Sequence, residues 1–354
     1  MRPYVLDGHN LGLRYGGNET FVGGLAEQLS ALSPEVAIYA PSAWKPAYSV
    51  MRLEPKTTSV SLQRLWDLPV QTNVLGASIL HVAFALSPDY LLPRTHQVVT
   101  VHDVAFLRHP HLYRRNDYWR LRLTVERAVR KAALVVTVSQ TAKQEIVETY
   151  HIDPDRVQVV FNGISDPADV SEGLPYGVPD PPFVLFVGTI QPRKGLGVLL
   201  DAIGSLRGAV KLVVVGRKGW RAKSDVERLM AAIATERVTY FPSVSPGPLR
   251  ALYRKAAAVV VPSLAEGFGL PVLEALAEGT DVVASDIPVF RELYGSNPIY
   301  FSPLNARELA EAIEFALSAQ HGVSSEAIQQ LRETYSWRRS AAKLLNLYDQ
   351  LVGV

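Results

Sequence analysis

The sequence predicts an α/β protein built from two doubly wound parallel-sheet domains, and three observations carry that reading. Short apolar runs rich in β-branched residues alternate with helical stretches in both halves of the chain, the pattern of parallel β/α units. One such run, Ala258 to Val261, is apolar at every position and stops at Pro262, as a central strand covered on both faces requires. A stretch rich in Pro and Gly, Ser165 to Pro182, excludes regular structure and splits the 354 residues into two lengths of ordinary domain size.

Composition narrows the function. Hydrophobic residues make up 48% of the chain, enough for two packed cores. With no cysteine there is no disulfide framework, no thiol nucleophile and no Cys-based zinc site. The net charge of +2 gives no reason to expect nucleic acid as a partner. No apolar run approaches the length of a membrane span, and the first residues lack the long apolar core of a signal peptide, so a cytoplasmic protein is expected.

Tyr4 to Leu6 form a first strand, followed by a loop ending in Gly16-Gly17 and a helix over about 18–32. Paired glycines at a strand-to-helix turn let a phosphate approach, although they also serve a plain turn. Val36 to Ala40 is the next strand. The Pro- and Trp-containing segment from Pro41 to Pro69 shows no regular pattern that assigns it, and a mobile acceptor-side loop is one reading of it. Ile79 to Ala83, Gln97 to His102, Leu134 to Val138 and Val157 to Phe161 continue the strands, with helices over about 114–132 and 140–149. His102 and Asp103 fall where a strand meets its loop, the position of ligand contacts in doubly wound sheets.

Between Arg108 and Lys131 eight Lys or Arg residues stand against Asp117 and Glu126, interleaved with Tyr113, Tyr118 and Trp119. The segment is either a solvated helix face or a patch that meets an anionic lipid head group at a membrane surface. The first domain is expected to span 1–168, the linker 169–182 and the second domain 183–336. In the second domain strands are expected at Phe183 to Val187, Lys211 to Val215, Val238 to Phe241, Ala258 to Val261, Asp281 to Ala284 and Ile299 to Phe301. Helices follow over about 305–319 and 323–333. A last helix, 337–354, carries the stripe Trp337, Ala341, Leu344, Leu345, Leu347, Tyr348 and Leu351, and is expected to pack back on the first domain.

The densest chemistry follows the strand at Ala258. Gly267 and Gly269 bracket Phe268 and permit a sharp turn with close approach of a ligand. Pro271 suits the first turn of the next helix, and Gly279 closes it. The amides near Gly269 and Leu270, with the helix dipole, make an anion site at the carboxyl edge of the sheet. Glu266 in the loop and Glu274 about one turn into the helix can face the same crevice, where hydroxyls of a nucleotide sugar would satisfy them. Read singly, each is also an ordinary loop or first-turn acid. In the first loop of the second half, after Gly188, Arg193 and Lys194 stand just before a helix and can clamp a diphosphate. Gly216 ends the next strand and again lets a flat ligand come close.

Gly188 with Arg193-Lys194-Gly195, Gly216, the run from Glu266 to Glu274 and Ala284-Ser285-Asp286-Ile287-Pro288 resemble the retaining GT-B glycosyltransferases of family four. Gly16-Gly17, His102-Asp103, Val138-Ser139 and Phe161-Asn162-Gly163-Ile164 follow in the expected order, so the resemblance covers nearly the whole chain. It implies two Rossmann-like domains facing a cleft, with the nucleotide sugar held mainly by the second and the acceptor by the first. The resemblance further implies that Arg193 and Lys194 bind the donor diphosphate, that Glu274 binds the ribose hydroxyls and that Glu266 holds hydroxyls of the transferred sugar. The amides of Gly267, Phe268, Gly269 and Leu270 would lie close to sugar and phosphate, His102 near the reacting sugar, Gly16-Gly17 over the phosphates and the Val244 backbone against the base. Two positions depart from the family pattern: Thr189 stands where many relatives carry Arg, and Asp281 replaces a common proline.

No metal or other cofactor is expected. Asp153-Pro154-Asp155 has the Asp-x-Asp spelling of metal-dependent sugar transfer, but its proline favours a plain turn. The resemblance implies net retention, with a glycan or glycolipid acceptor in polysaccharide or lipopolysaccharide assembly. GDP-mannose is the favoured donor and a UDP-hexose the second. A nucleotide-sugar epimerase is another reading, which incubation without acceptor would reveal by an altered sugar, and a non-catalytic sugar-binding protein is a third, which would not need the paired cations and would be expected to carry a signal peptide.

Overall fold

The computed structural model describes residues 3–12, 16–46, 49–83, 86–164, 173–206, 210–318 and 322–353. Residues 13–15 before Gly16, residues 169–172 of the expected linker, and residues 319 and 354 of the expected helices lie outside them. The chain forms two compact units, one from Met1–Leu107, Asn116–Ser165 and Tyr335–Val354, the other from Arg108–Arg115 and Asp166–Thr334.

The first unit runs β1 (Tyr4–Asp7), α1 (Gly17–Leu32), β2 (Val36–Tyr39), β3 (Met51–Leu53), α2 (Val60–Leu62), a π-helical turn Gln63–Asp67, α3 (Leu68–Leu75), β4 (Ile79–Ala83) and β5 (His96–Thr100). It continues through α4 (Ala105–Arg108), α5 (Arg115–Lys131), β6 (Leu134–Thr137), α6 (Gln140–Tyr150) and β7 (Val157–Val159). The seven strands are parallel in the order β3-β2-β1-β4-β5-β6-β7. Val5 shows how burial fixes register: it lies opposite Ala37 on one side and Leu80 on the other, all three buried. The direction of winding reverses between β1 and β4, so the crevice beyond their carboxyl ends is where this topology receives a ligand.

The segment 41–69, which the sequence left without assigned elements, carries short regular ones. Met51–Leu53 adds a short edge strand to β2, and Ser59 caps α2, its hydroxyl accepting from the Leu62 amide at 3.5 Å. The π-turn that follows has a cause in Pro69, which stands in the first turn of α3 and has no N–H to return to the preceding turn. The helix widens there, with the Leu68 amide bonding to the Gln63 carbonyl. Asp67 holds the turn from inside, accepting from the Tyr39 hydroxyl and the Lys56 amide at 2.8 Å each and from Gln71 at 2.9 Å. One correction is small: the strand expected to reach His102 ends at Thr100, leaving His102 in the loop.

The second unit runs β8 (Phe183–Val187), α7 (Leu196–Ser205), β9 (Lys211–Val215), α8 (Lys223–Ile233), β10 (Val238–Phe241), α9 (Pro246–Lys255) and β11 (Ala258–Val261). Then come α10 (Leu270–Ala277), β12 (Val282–Ser285), α11 (Pro288–Tyr294), β13 (Ile299–Phe301), α12 (Ala306–Ser318) and α13 (Ser325–Thr334). Its six strands are parallel in the order β10-β9-β8-β11-β12-β13, with the reversal between β8 and β11. The last helix, α14 (Trp337–Val352), belongs to the first unit and packs on α1. Trp337, Ala341, Leu344 and Tyr348 are its buried stripe. Trp337 seats where a side chain is missing: a Cβ on Gly24 of α1 would stand 2.3 Å from its ring.

Candidate active site

In the second unit, the loops after β8 and β11 flank the point of reversal and are pinned by close backbone approach. Gly195 adopts φ 69°, and a Cβ there would lie 2.0 Å from the Pro262 carbonyl oxygen. The Leu264 amide donates to the Arg193 carbonyl at 2.9 Å across the same seam. Gly188 and Gly216 are equally close, a Cβ on Gly216 falling 1.8 Å from the Gly188 oxygen.

This seam brings Arg193 and Lys194 onto Glu266. Lys194 Nζ donates to Glu266 Oε1 at 2.5 Å and Ser263 Oγ donates to the same oxygen at 2.7 Å. Arg193 Nη1 donates to the Ala265 carbonyl at 2.7 Å and lies 3.4 Å from Glu266 Oε2. The Arg193, Lys194 and Glu266 side chains are only 13%, 16% and 7% exposed. Burial alone would raise the Glu266 carboxyl, but the charges of Lys194 and Arg193 and the bonds from Lys194 and Ser263 outweigh it and hold it below the ordinary glutamate range. Such shielded, hydrogen-bonded cations are suited to a phosphate, the guanidinium as a fork and the ammonium as a compact charge.

The loop from Glu266 leads into α10 through Gly269, at φ 88°, where a Cβ would strike the Phe290 ring at 2.3 Å. Phe268 is buried edge-on to Tyr294, whose hydroxyl donates to the carbonyls of Phe268 at 3.1 Å and Gly269 at 3.2 Å. The Phe268 ring therefore anchors the turn, and the loop presents backbone there. Glu274 is half-buried on α10, and Tyr253 of α9 donates to its Oε2 at 2.6 Å. Burial pushes the Glu274 carboxyl up to about 7, against the Tyr253 bond that lowers it. Val244 lies in the loop between β10 and α9, the helix that carries Tyr253.

Gly16, Gly17 and His102 belong to the first unit. Gly16 caps α1 at φ 84°, its carbonyl accepting from the amides of Glu19 at 2.8 Å and Thr20 at 3.1 Å. Gly17 is the first residue of that helix. The His102 ring meets Phe21 of α1 edge-on, centroids 4.9 Å apart. Burial pushes His102 down to about 4, with Asp103 opposing, so the imidazole is neutral at pH 7. Asp103 accepts from the Ala105 amide at 3.0 Å and opens α4.

Sequence reading missed three further features. Ser263 and Tyr253 orient the two glutamates; Ser263 had a signal in its place beside Pro262, whereas Tyr253 had none. The third is a triad at the carboxyl end of β1. His9 Nδ1 lies 2.8 Å from Asp7 Oδ1 and His9 Nε2 lies 3.0 Å from Arg64 Nη2. Asp-Gly-His at a strand end carries the same positional signal as His102, but nothing in the sequence points to Arg64.

The basic segment divides. Tyr113 stacks on Trp220, centroids 5.7 Å apart, and its carbonyl accepts from Arg221 at 3.1 Å. Tyr113 is therefore buried and leaves the expected interleaved face. On α5 itself Arg115, Arg120, Arg122, Arg127, Arg130 and Lys131 are exposed, together with Trp119 and Leu123. Asp153 Oδ1 accepts from the Asp155 amide at 2.8 Å, so that Asp-x-Asp spelling closes a single turn. No helix among the described residues is long and apolar enough to cross a membrane.

Comparison with known proteins matches residues 15–166 to the family model Glycosyltransferase Family 4 and residues 176–334 to Glycosyl transferases group 1. The chain is similar to the O-antigen chain mannosyltransferase RfbU of Salmonella typhimurium, 31% identical over 62% of this chain and 60% of that protein. It is also similar to the serotype-specific mannosyltransferase WbdA of Escherichia coli, 32% identical over 69% of this chain. The chain spans 32% of the length of WbdA. Among solved structures, sucrose-phosphate synthase from Thermosynechococcus elongatus superposes with a TM-score of 0.76 at 19% identity, covering 100% of both chains.

Proposed function

With family models matching both of its halves, the chain belongs to the GT-B glycosyltransferases, and from that premise we propose that it transfers a hexose from a nucleotide-diphosphate sugar to an acceptor hydroxyl. The favoured donor is GDP-mannose and the acceptor a glycan or glycolipid in polysaccharide or lipopolysaccharide assembly. RfbU and WbdA, both named mannosyltransferases, support that choice of sugar. The reaction proceeds with net retention and without a metal, in the cytoplasm, and contact with the inner face of the cell membrane is the reading of the basic segment that flotation tests.

The observation that carries the donor reading is the gathering of Arg193, Lys194 and Glu266 at the reversal between β8 and β11, on the loop that leads to Glu274. In the free protein Glu266 occupies the two cations. A diphosphate competes for them, which releases the Glu266 carboxylate to accept hydroxyls of the transferred sugar. Glu274 accepts the ribose diol, and the amides that open α10 face the phosphates. As the bond to the sugar breaks, charge grows on the departing diphosphate, and cations already oriented in a shielded site stabilise it without reorganisation. Neutral His102 offers the reacting sugar a hydrogen bond and no charge. Retention requires the acceptor hydroxyl to attack from the side the diphosphate leaves, so neither glutamate needs to form a covalent intermediate.

The test is a thermal-shift titration with GDP, UDP and ADP, repeated in EDTA, because a ligand that binds only the native state raises the melting temperature. Selective stabilisation by GDP that survives EDTA is expected. Stabilisation by UDP alone would replace the donor with a UDP-hexose, and no response to any nucleotide would remove the donor site. The anomeric configuration of the product, read by NMR, decides retention.

A further inference from the structure

The first unit has its own point of reversal, between β1 and β4, and the Asp7–His9–Arg64 triad stands at the carboxyl end of β1. A guanidinium can only donate, so His9 Nε2 must accept from Arg64 and the ring proton lies on Nδ1, donated to Asp7. Asp7 and His9 are 4% and 5% exposed, so the imidazole is a fixed support. Arg64 is half-buried, and among the described residues its guanidinium meets His9 and no carboxylate. A cation held by a neutral partner in a partly dry place is costly until an anion arrives, and its fork keeps N–H groups to offer that anion.

The backbone around Arg64 is unusual in the same direction. It lies within the π-turn that Asp67 anchors, a distortion frequent at functional sites. On either side of Arg64 the chain exposes Leu62 at 56%, Leu65 at 56% and Trp66 at 60%. All three lie within two residues of Arg64, so the exposed apolar surface adjoins its guanidinium in sequence.

We propose that Arg64 docks a phosphate group of an amphiphilic acceptor, whose apolar chain lies along Leu62, Leu65 and Trp66. The inference rests on the transferase reading and narrows its acceptor to a phosphate-bearing glycolipid. His9 and Asp7 act as positioning residues that aim the guanidinium.

The experiment is calorimetric titration of the full chain with three probes: dodecyl phosphate below its micellar concentration, inorganic phosphate and dodecyl maltoside. Dodecyl phosphate is expected to bind at least about tenfold tighter than either of the others, and Arg64→Gln to weaken it about tenfold or more, the scale of a lost charged hydrogen bond. Arg64→Lys, which keeps the charge without the fork, is expected to fall between, with a melting temperature close to wild type. Replacing Leu65 and Trp66 together by Ser is expected to bring dodecyl phosphate down toward inorganic phosphate. Equal binding of dodecyl phosphate by wild type and Arg64→Gln overturns the inference, and so does equal binding of the two phosphates by wild type. Nucleotide stabilisation without dodecyl phosphate binding overturns it alone, whereas Arg64-dependent binding without any nucleotide response counts against the transferase reading.

Discussion

Glu274 and Glu266 are both shielded acids on one loop and helix, yet their surroundings push them in opposite directions. Glu266 has Lys194 and Arg193, while among the described residues Glu274 has the Tyr253 hydroxyl alone and burial pushes it up to about 7 from an ordinary 4.5. An acid raised in the folded state keeps its proton where the unfolded chain has lost it. Stability therefore falls as pH rises from about 4.5 to about 7 and is level above that. Glu274→Gln lacks this loss, so its melting temperature should match wild type below pH 4.5 and exceed it increasingly up to pH 7. Melts from pH 4 to about 8.5 test this; an offset that does not change with pH would contradict it. Lys194→Ala should lower turnover roughly a hundredfold, as the loss of one oriented charge-stabilising contact does. Initial rates at saturating donor measure it, and a near-normal rate in a folded variant would exclude Lys194 from the reaction. The sequence singled out Arg193, Lys194, Glu266 and Glu274 as a set, because charges gather there at glycine-bearing strand ends, although each alone reads equally well as an ordinary loop or helix charge. It did not show Tyr253 or Arg64, because an aromatic or a cation on a helix is ordinary until the fold brings it to a carboxylate or an imidazole.

At the level of elements, the two loops of the proposed donor site owe their union to Gly195. Its φ of 69° and the 2.0 Å gap to the Pro262 oxygen leave no room for a Cβ. Gly195→Ala should push the Pro192–Lys194 turn away from Pro262 and take Arg193 and Lys194 off Glu266. The thermal response to the donor nucleotide should then fall at least about tenfold in apparent affinity, as charged contacts are lost. The Arg64-dependent binding of dodecyl phosphate, which depends on the first unit, should remain; loss of both would mean general unfolding. Strands and most helices were legible in sequence because period and punctuation agree: Ala258–Val261 stops at Pro262, and α10 follows Gly269. The segment 41–69 was not legible. Its π-turn breaks the helical period, and of the groups that hold Asp67, Tyr39 and Gln71 come from outside the segment and the Lys56 amide from eleven residues away within it. Local pattern cannot report a turn whose stability is tertiary.

At the scale of the whole molecule, the first unit joins the exposed apolar residues beside Arg64 to the basic helix. Ser87 Oγ donates to the Arg64 carbonyl at 3.4 Å, Gln97 bonds both Ser87 and Asp89, and Asp89 lies 3.7 Å from Arg127 and 3.6 Å from Lys131. The apolar ridge Leu62-Leu65-Trp66 and the exposed cations of α5 are thus linked through a few polar side chains. A membrane carrying anionic lipid would attract α5 while its glycolipid is handed to the ridge. The two contributions differ physically. Charge attraction is about 1 kcal/mol per basic residue at an anionic surface and is screened by salt, whereas apolar contact is not. Flotation with vesicles containing anionic lipid should therefore recover the protein at low salt. Replacing Arg120, Arg122, Arg127 and Arg130 together by Glu should reduce the bound fraction at least about tenfold. In wild type, raising NaCl to about 1 M should leave a residual bound fraction that disappears when Leu65 and Trp66 are replaced by Ser. Wild type that fails to float at low salt would return α5 to a solvated face, its alternative in the sequence. A salt-resistant fraction unaffected by the Leu65 and Trp66 changes would place the apolar contact elsewhere.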